Sequence, residues 1–316
     1  MPTLLTLTPN PALDVSARTP QVRHTRKLRC DTVERHPGGG GINVARVLHR
    51  LGADVAACYT SGGTTGQLLT ELLADEGLHC LPVAIPGHTR ESFTVLEAQT
   101  GQEFRFVLPG PELPMSVCDA LLAVLAQQRP RWLVASGSLP PGAPPDFYAQ
   151  AVRQAQAWEG KVVVDSSGQA LREALQAGVF LAKPSLREFR ELVGQPLASW
   201  DSLAQAARQW VAAGAASLLA VSLGEQGAML CSPEGTWYAP PLPVTVHSAV
   251  GAGDSFVAGL VDGLARGGSH RQAFAQAVAC GTAALAHQGT GLARADDVQR
   301  LLPEVRCLDT GPDQLA

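Results

Sequence analysis

The chain has 316 residues, enough for one large α/β domain or two ordinary ones. Hydrophobic residues make up 46% and charged residues 16%, which excludes a disordered chain, and a net charge of −4 excludes a general nucleic-acid binder. No apolar run reaches the roughly 18 residues of a membrane span, and MPTLLTLTPNP lacks the basic stretch and cleavage site of a secretory leader, so a cytoplasmic location is expected.

A short apolar strand is predicted at Leu4–Thr8, followed over 13–36 by β-type alternation. Val44, Val47, Leu48 and Leu51 then keep the i, i+3, i+4, i+7 spacing of a helix with one buried face. Residues 91–107 alternate again around Thr100-Gly101, as a hairpin would. Beyond them, strands at Trp132–Ala135, Val162–Asp165, Phe180–Lys183 and Leu218–Ser222 are interleaved with helices at Phe147–Trp158, Ala170–Gln176, Leu186–Val193 and Leu203–Ala213. A last helix runs from Val250 to about Arg266, and the tail after Pro303 is expected to fray. This alternation predicts a largely parallel sheet covered on both faces, within a single domain spanning 1–316. The segments near 13–36 and 91–107 would form a small β flap on it.

Two residue types carry further information. The seven cysteines show no C-x-x-C pairing, which favours reduced thiols over a disulfide framework. Of the 24 basic residues only Lys27, Lys161 and Lys183 are lysines, so each is a candidate for a task that needs a compact ammonium in place of a forked guanidinium. Lys161 has a plain explanation at the start of the run Val162–Val164.

Two glycine-rich helix starts point to chemistry. His36-Pro37-Gly38-Gly39-Gly40-Gly41-Ile42-Asn43 removes side chains from a turn that leads into a helix, so a ligand can approach backbone N–H groups, and Asn43 adds a directional hydrogen bond. Val250-Gly251-Ala252-Gly253-Asp254-Ser255 opens the later helix. Successive N–H groups at Gly251–Gly253 suit a phosphate, and Asp254 is either a partner of the helix dipole or a general base for an attacking hydroxyl. The Walker pattern G-x-x-x-x-G-K-[ST] is absent, and no G-x-G-x-x-G follows a predicted strand. H-R-D, D-F-G and G-x-S-x-G are also missing, and His and Cys show no zinc spacing.

These motifs resemble those of the ribokinase-like sugar kinases, in the phosphofructokinase-B branch. The similarity runs from T-L-T-P-N-P-A-L-D through K-L-R-C, P-G-G-G-G-I-N-V-A-R, R-F-V-L-P-G, S-G-S-L-P-P-G, V-V-D-S-S-G, A-K-P, V-S-L-G-x-x-G-A and V-G-A-G-D-S to H-Q-G-T-G. It implies a three-layer α/β/α domain with a β lid closing over a sugar. It also implies ATP and Mg²⁺ as cofactors, with K⁺ as a further ion, and a homodimer formed through the lid. By the same resemblance, Asp254 would be the catalytic base and Gly251, Ala252 and Gly253 its anion hole. Asp14, Gly39, Gly40 and Asn43 would fix the sugar. Lys27, Arg90 and Arg105 would hold a sugar phosphate, with Ser138 nearby. Lys183, Ser185, Ser222, Gly224, Gly227, Ser248, Gly281 and Ala284 would face ATP, and Glu188 would serve the metal.

One position departs from that pattern: Ser185 stands where the N-x-x-E magnesium motif of the family has Asn, while Glu188 is kept. The implied activity is ATP-dependent phosphorylation of fructose 6-phosphate to fructose 1,6-bisphosphate. Relatives acting on tagatose 6-phosphate or fructose 1-phosphate commonly carry Lys inside the glycine run, where this chain has four glycines. A non-catalytic sugar-phosphate sensor would have no need of Asp254.

Overall fold

A computed structural model describes residues 2–287 and 291–315. In chain order its elements are β1 (Leu4–Thr8), β2 (Ala12–Thr19), β3 (Thr32–Gly38), α1 (Gly40–Arg50), β4 (Val55–Ser61), α2 (Gly63–Asp75), β5 (His79–Ala84), β6 (Arg90–Glu97), β7 (Glu103–Val107) and α3 (Met115–Gln128). There follow β8 (Trp132–Ser136), α4 (Phe147–Gln156), β9 (Lys161–Asp165), α5 (Gly168–Gln176), β10 (Val179–Ala182), α6 (Leu186–Val193) and α7 (Trp200–Ala212). The last are β11 (Ala216–Ser222), β12 (Ala228–Ser232), β13 (Gly235–Ala239), α8 (Ala252–Ala265), α9 (His270–Leu285) and α10 (Ala295–Leu301).

Nine strands form one sheet in the order β13-β12-β11-β10-β9-β8-β1-β4-β5. From β11 to β5 every neighbouring pair is parallel, and β12 and β13 close one edge as an antiparallel hairpin. The strands are continuous apolar runs because both faces are covered, and period-two alternation sorts their side chains. Leu5, Leu133, Ala135, Val162 and Val164 enter one core with residues of α3–α7. Leu4, Trp132, Val134 and Val163 enter the other with residues of α1, α2, α8, α9 and α10. The result is a three-layer ribokinase-like α/β/α arrangement.

The remaining strands form a separate four-stranded sheet in the order β3-β2-β6-β7. The chain passes between the sheets at Pro9–Pro11, at the β3–α1 junction, between β5 and β6 and at Leu108–Pro111, and residues of the small sheet face the carboxyl ends of β8 and β9.

The expected frayed tail is a correction. Tyr238 and Leu308 exchange two backbone hydrogen bonds of 2.7 Å, and the Leu315 N–H donates to the Ala198 carbonyl at 2.9 Å. The tail therefore pairs with the outer edge of β13 at Tyr238, one point along the row of donors and acceptors that a sheet edge presents. Lys161 spreads its ammonium over the rings of Trp132 and Phe180, 4.9 and 4.5 Å from their centroids, at the strand start where the sequence placed it. All seven cysteines are free.

Candidate active site

A cavity of about 320 Å³ lies between the two sheets. Its floor comes from the carboxyl ends of β8 and β9, Ser136 and Asp165, with the loops beyond them. That is where ligands sit in open parallel sheets. Its roof is the inner face of the small sheet. Pairing places Asp14 opposite Ser92, Ser16 opposite Thr94 and Thr94 opposite Arg105, so these polar side chains alternate onto one face. Arg90, at the start of β6, joins them on the lining.

Both glycine-rich helix starts meet at this cavity. In the first, glycine is required by close approach: a Cβ on Gly38 would fall 2.2 Å from Asp14 Oδ2, and one on Gly40 would fall 2.3 Å from Ser136 Oγ and 3.3 Å from Asp254 Oδ1. The run thus makes room for two carboxylates. In the second, Gly251 adopts φ +75° as the N-cap of α8 and no side chain caps the helix, so the N–H groups of Gly253 and Asp254 remain available to an anion. Asn43 joins the two starts by donating from Nδ2 to Asp254 Oδ2 at 2.8 Å. Asn43 is 4% exposed, and its Oδ1 is buried without a hydrogen-bond partner, an acceptor free for a hydroxyl group.

The electrostatics suit proton transfer. Burial pushes Asp254 up to about 7, helped by the nearby Asp165 carboxylate and opposed by the Asn43 hydrogen bond and by Lys183. Burial likewise raises Asp14 to about 6, against the pull of Arg90 and Arg105. Lys183 lies 3.1 Å from Asp165 Oδ1, and its ammonium is close to the start of α8, 3.7 Å from where a Gly253 Cβ would be. Burial lowers its affinity for a proton, but Asp165, Glu188 and Asp254 reverse this and hold it above its ordinary value.

Ser185 is the N-cap of α6. Its Oγ accepts from the Glu188 N–H at 3.3 Å, while Glu188 Oε2 accepts from the Ser185 N–H at 2.8 Å. This reciprocal box gives Ser185 a structural task at the position where the family motif has Asn, another good N-cap residue. It turns Glu188 back toward the cavity, which it lines together with Asp165. Among the described residues no cluster of three or more His, Cys, Asp or Glu side chains could chelate a metal. A pair of hard carboxylates fits a magnesium ion that arrives on phosphate oxygens and keeps its waters.

Of the residues singled out in the sequence, Asp14, Gly39, Gly40, Asn43, Arg90, Arg105, Ser138, Glu188, Gly251 and Asp254 line this one cavity. Lys27 does not. It is exposed in the connection between β2 and β3, at the end of that hairpin away from Asp14. Ser222, Gly224, Gly227, Gly281 and Ala284 lie outside the lining as well. Gly227 is fixed by the turn before β12, where a Cβ would meet the Ala239 carbonyl at 2.1 Å, and Gly281 packs α9 on α8 beside Phe256. Ser248 is buried 3.4 Å from Glu103 of β7, bridging body and small sheet. Residues 288–290 of H-Q-G-T-G lie outside the described residues. Asp165, Ser136 and Ser166 escaped the sequence reading as site residues, although V-V-D-S-S-G ends a strand at the level of the glycine runs.

Layers, strand order and a ligand cavity at the strand ends define a ribokinase-like kinase fold. A ribokinase from Arabidopsis thaliana shares it, with a TM-score of 0.74 at 20% identity over 95% of this chain and 98% of that one. The chain belongs to the pfkB family of carbohydrate kinases, whose pattern matches residues 11–296. It is 42% identical to the ATP-dependent 6-phosphofructokinase isozyme 2 of Mycobacterium tuberculosis over 95% of this chain and 88% of that protein. It is 40% identical to the isozyme 2 of Escherichia coli K12, covering 94% and 97%. The structure of Escherichia coli phosphofructokinase-2 in complex with fructose-6-phosphate superposes with a TM-score of 0.91 at 37% identity, over 96% and 99% of the chains. Among the described residues no helix is long and apolar enough to cross a membrane.

Proposed function

We propose that the protein transfers the terminal phosphoryl group of ATP to fructose 6-phosphate, giving fructose 1,6-bisphosphate and ADP. The carrying observation is that one cavity presents a half-buried carboxylate at an uncapped helix start on its floor and two guanidinium groups, Arg90 and Arg105, on its roof. In this reading Arg90, Arg105 and the Ser138 hydroxyl grip the phosphate already on the sugar. Asp14 and Asn43 accept sugar hydroxyls. Asp254 takes the proton of the attacking hydroxyl as its oxygen bonds to phosphorus and the bond to ADP breaks. The first-turn N–H groups of α8 and Lys183 neutralise charge on the transferred group. Magnesium, bound with ATP beside Glu188 and Asp165, would screen phosphate charge. The family resemblance implies K⁺ as a further ion, and we assign it no ligand.

The small sheet also serves as a lid, keeping water from the reacting phosphorus. Its outer face carries Val15, Ala17, Val33, Val95, Phe104 and Phe106, with Val33 and Phe106 51% and 55% exposed. Such a face supports a homodimer formed through the lids. An ADP-release assay across hexoses and hexose phosphates tests the reading. The highest kcat/KM is expected with fructose 6-phosphate. A preference for an unphosphorylated sugar would remove the clamp, and a preference for fructose 1-phosphate or tagatose 6-phosphate would reassign the substrate.

A further inference from the structure

We propose that Asn10 is a positioning residue for the sugar phosphate, its side-chain amide acting through Ser138. The inference rests on the clamp reading given above. Asn10 sits in Pro9–Pro11, the crossing from the large sheet to the small one, and is 7% exposed. Its Nδ2 donates to Ser138 Oγ at 3.2 Å. Its backbone carbonyl accepts from Arg90 Nη2, also at 3.2 Å, while Arg90 Nη1 donates to the Leu108 carbonyl on the return crossing at 3.1 Å. A Cβ on Gly110 would lie 2.1 Å from Asn10 Oδ1, so both crossings pack directly on the amide. One residue therefore touches a group from the floor, a group from the roof and the joint between the sheets.

The direction of the Ser138 bond matters chemically. A serine hydroxyl has one proton to give. Because Ser138 Oγ accepts from the Asn10 amide, its own proton is left to donate to a phosphate oxygen in the cavity. The loop that carries Ser138 is held from the other side too. The Gly137 carbonyl accepts from Tyr148 Oη at 3.0 Å and from Ser166 Oγ at 2.9 Å. With its backbone tied below, the remaining freedom of Ser138 is the rotation of its side chain, and that is what Asn10 restricts.

Two variants separate positioning from packing. Asn10→Ala removes the amide and is expected to raise KM for fructose 6-phosphate about three- to tenfold, with KM for ATP unchanged. Asn10→Asp keeps the volume against Gly110 but reverses the bond. The carboxylate would draw the Ser138 proton to itself and place a negative charge beside the phosphate. A rise of roughly tenfold or more is expected, larger than for Ala. In the pair Asn10→Ala and Ser138→Ala, the double variant should match Ser138→Ala alone, since the amide acts through that hydroxyl. An unchanged sugar-phosphate KM in Asn10→Asp, a parallel rise in KM for ATP, or effects that multiply in the double variant would each overturn the proposal. Arg90→Ala and Ser138→Ala, measured alongside, tell the two failures apart. If they raise the sugar-phosphate KM and the Asn10 variants do not, only the positioning role falls. If neither raises it, the clamp falls and the positioning role falls with it.

Discussion

The starts of α1 and α8 look alike in sequence, each a glycine cluster running into a helix, yet glycine serves opposite purposes in them. Before α1 it is needed for what it lacks. Gly38 leaves space that the Asp14 carboxylate occupies, and Gly40 leaves space for the Ser136 hydroxyl with the Asp254 carboxylate just beyond it. Before α8 it is needed for what it exposes, a left-handed N-cap at Gly251 that leaves the first-turn N–H groups uncapped. Asn43 and Asp254, 211 residues apart, join the two starts by a hydrogen bond. One helix start makes the space and the other supplies the charge.

The sharpest break in that division is Asp254→Asn. Loss of general-base help should lower kcat roughly 10²- to 10⁴-fold while sugar-phosphate binding persists. The same change should stabilise the fold at pH 8. Asp254 is raised from 3.8 to about 7 on folding, so the folded state holds this proton more tightly and its stability falls as pH rises between those values. The variant carries no such penalty, and its Tm should exceed the parent's at pH 8, with the gap closing toward pH 4. Near-normal kcat would leave Asp254 as a helix-dipole partner only.

A smaller effect separates the two kinds of glycine. Gly40→Ala should lower kcat/KM roughly tenfold or more, because the new Cβ meets Ser136 Oγ at 2.3 Å in a site where small misplacements are costly. Gly253→Ala adds a Cβ whose nearest neighbour is Lys183 Nζ at 3.7 Å, an ordinary contact, and should cost only a few-fold. Equal losses in steady-state kinetics would mean that both clusters work by steric room.

Much of this division was legible in the sequence because it depends on residue types at short spacing. The glycine runs, Asn43 and Asp254 announced themselves, and the central strands β1, β8, β9, β10 and β11 read as apolar runs between helices. What escaped has physical causes. Helices α3 and α9 are rich in Ala and Leu and carry little polar stripe to mark one face. Strand β5 contains Pro82, tolerated because β5 is an edge strand of the large sheet. The C-terminal tail is ordered by pairing with Tyr238 and Ala198, which no local pattern reveals. The family resemblance groups Lys27 with Arg90 and Arg105 as cations for the sugar phosphate. Strand pairing turns Arg105 inward, whereas the long connection carries Lys27 away from the cavity of its own chain. Asp165 looked like an ordinary strand end until its pairing with Lys183 placed it in the site.

The link between the two helix starts can be tuned without removing either. If Asp254 must be ionised to act, kcat/KM should rise with pH through a midpoint near 7, since the free enzyme below it carries a protonated base. The Asn43 amide favours the ionised carboxylate, so Asn43→Ala should move the midpoint to higher pH. A pH–rate profile of the two proteins checks this. A midpoint that stays fixed would show that the hydrogen bond orients Asp254 without setting its charge.

The smallest expected effect lies at a third helix start, that of α6, where the departure from the family motif falls. Ser185 and Glu188 bond reciprocally, but the bond that orients the Glu188 carboxylate comes from the backbone N–H of residue 185, not from its hydroxyl. Ser185→Ala therefore removes the cap and leaves the carboxylate held. It should lower the Tm by a few degrees, in keeping with a lost cap of about 1 kcal/mol in a chain of this size, and leave the magnesium dependence of kcat nearly unchanged. Glu188→Gln loses the negative charge at the cavity and should raise the magnesium concentration needed for half-maximal activity several-fold. Titrating both variants with magnesium at saturating substrates compares them directly. A larger shift in Ser185→Ala would show that the hydroxyl itself serves the ion, in the place where the family motif has an amide.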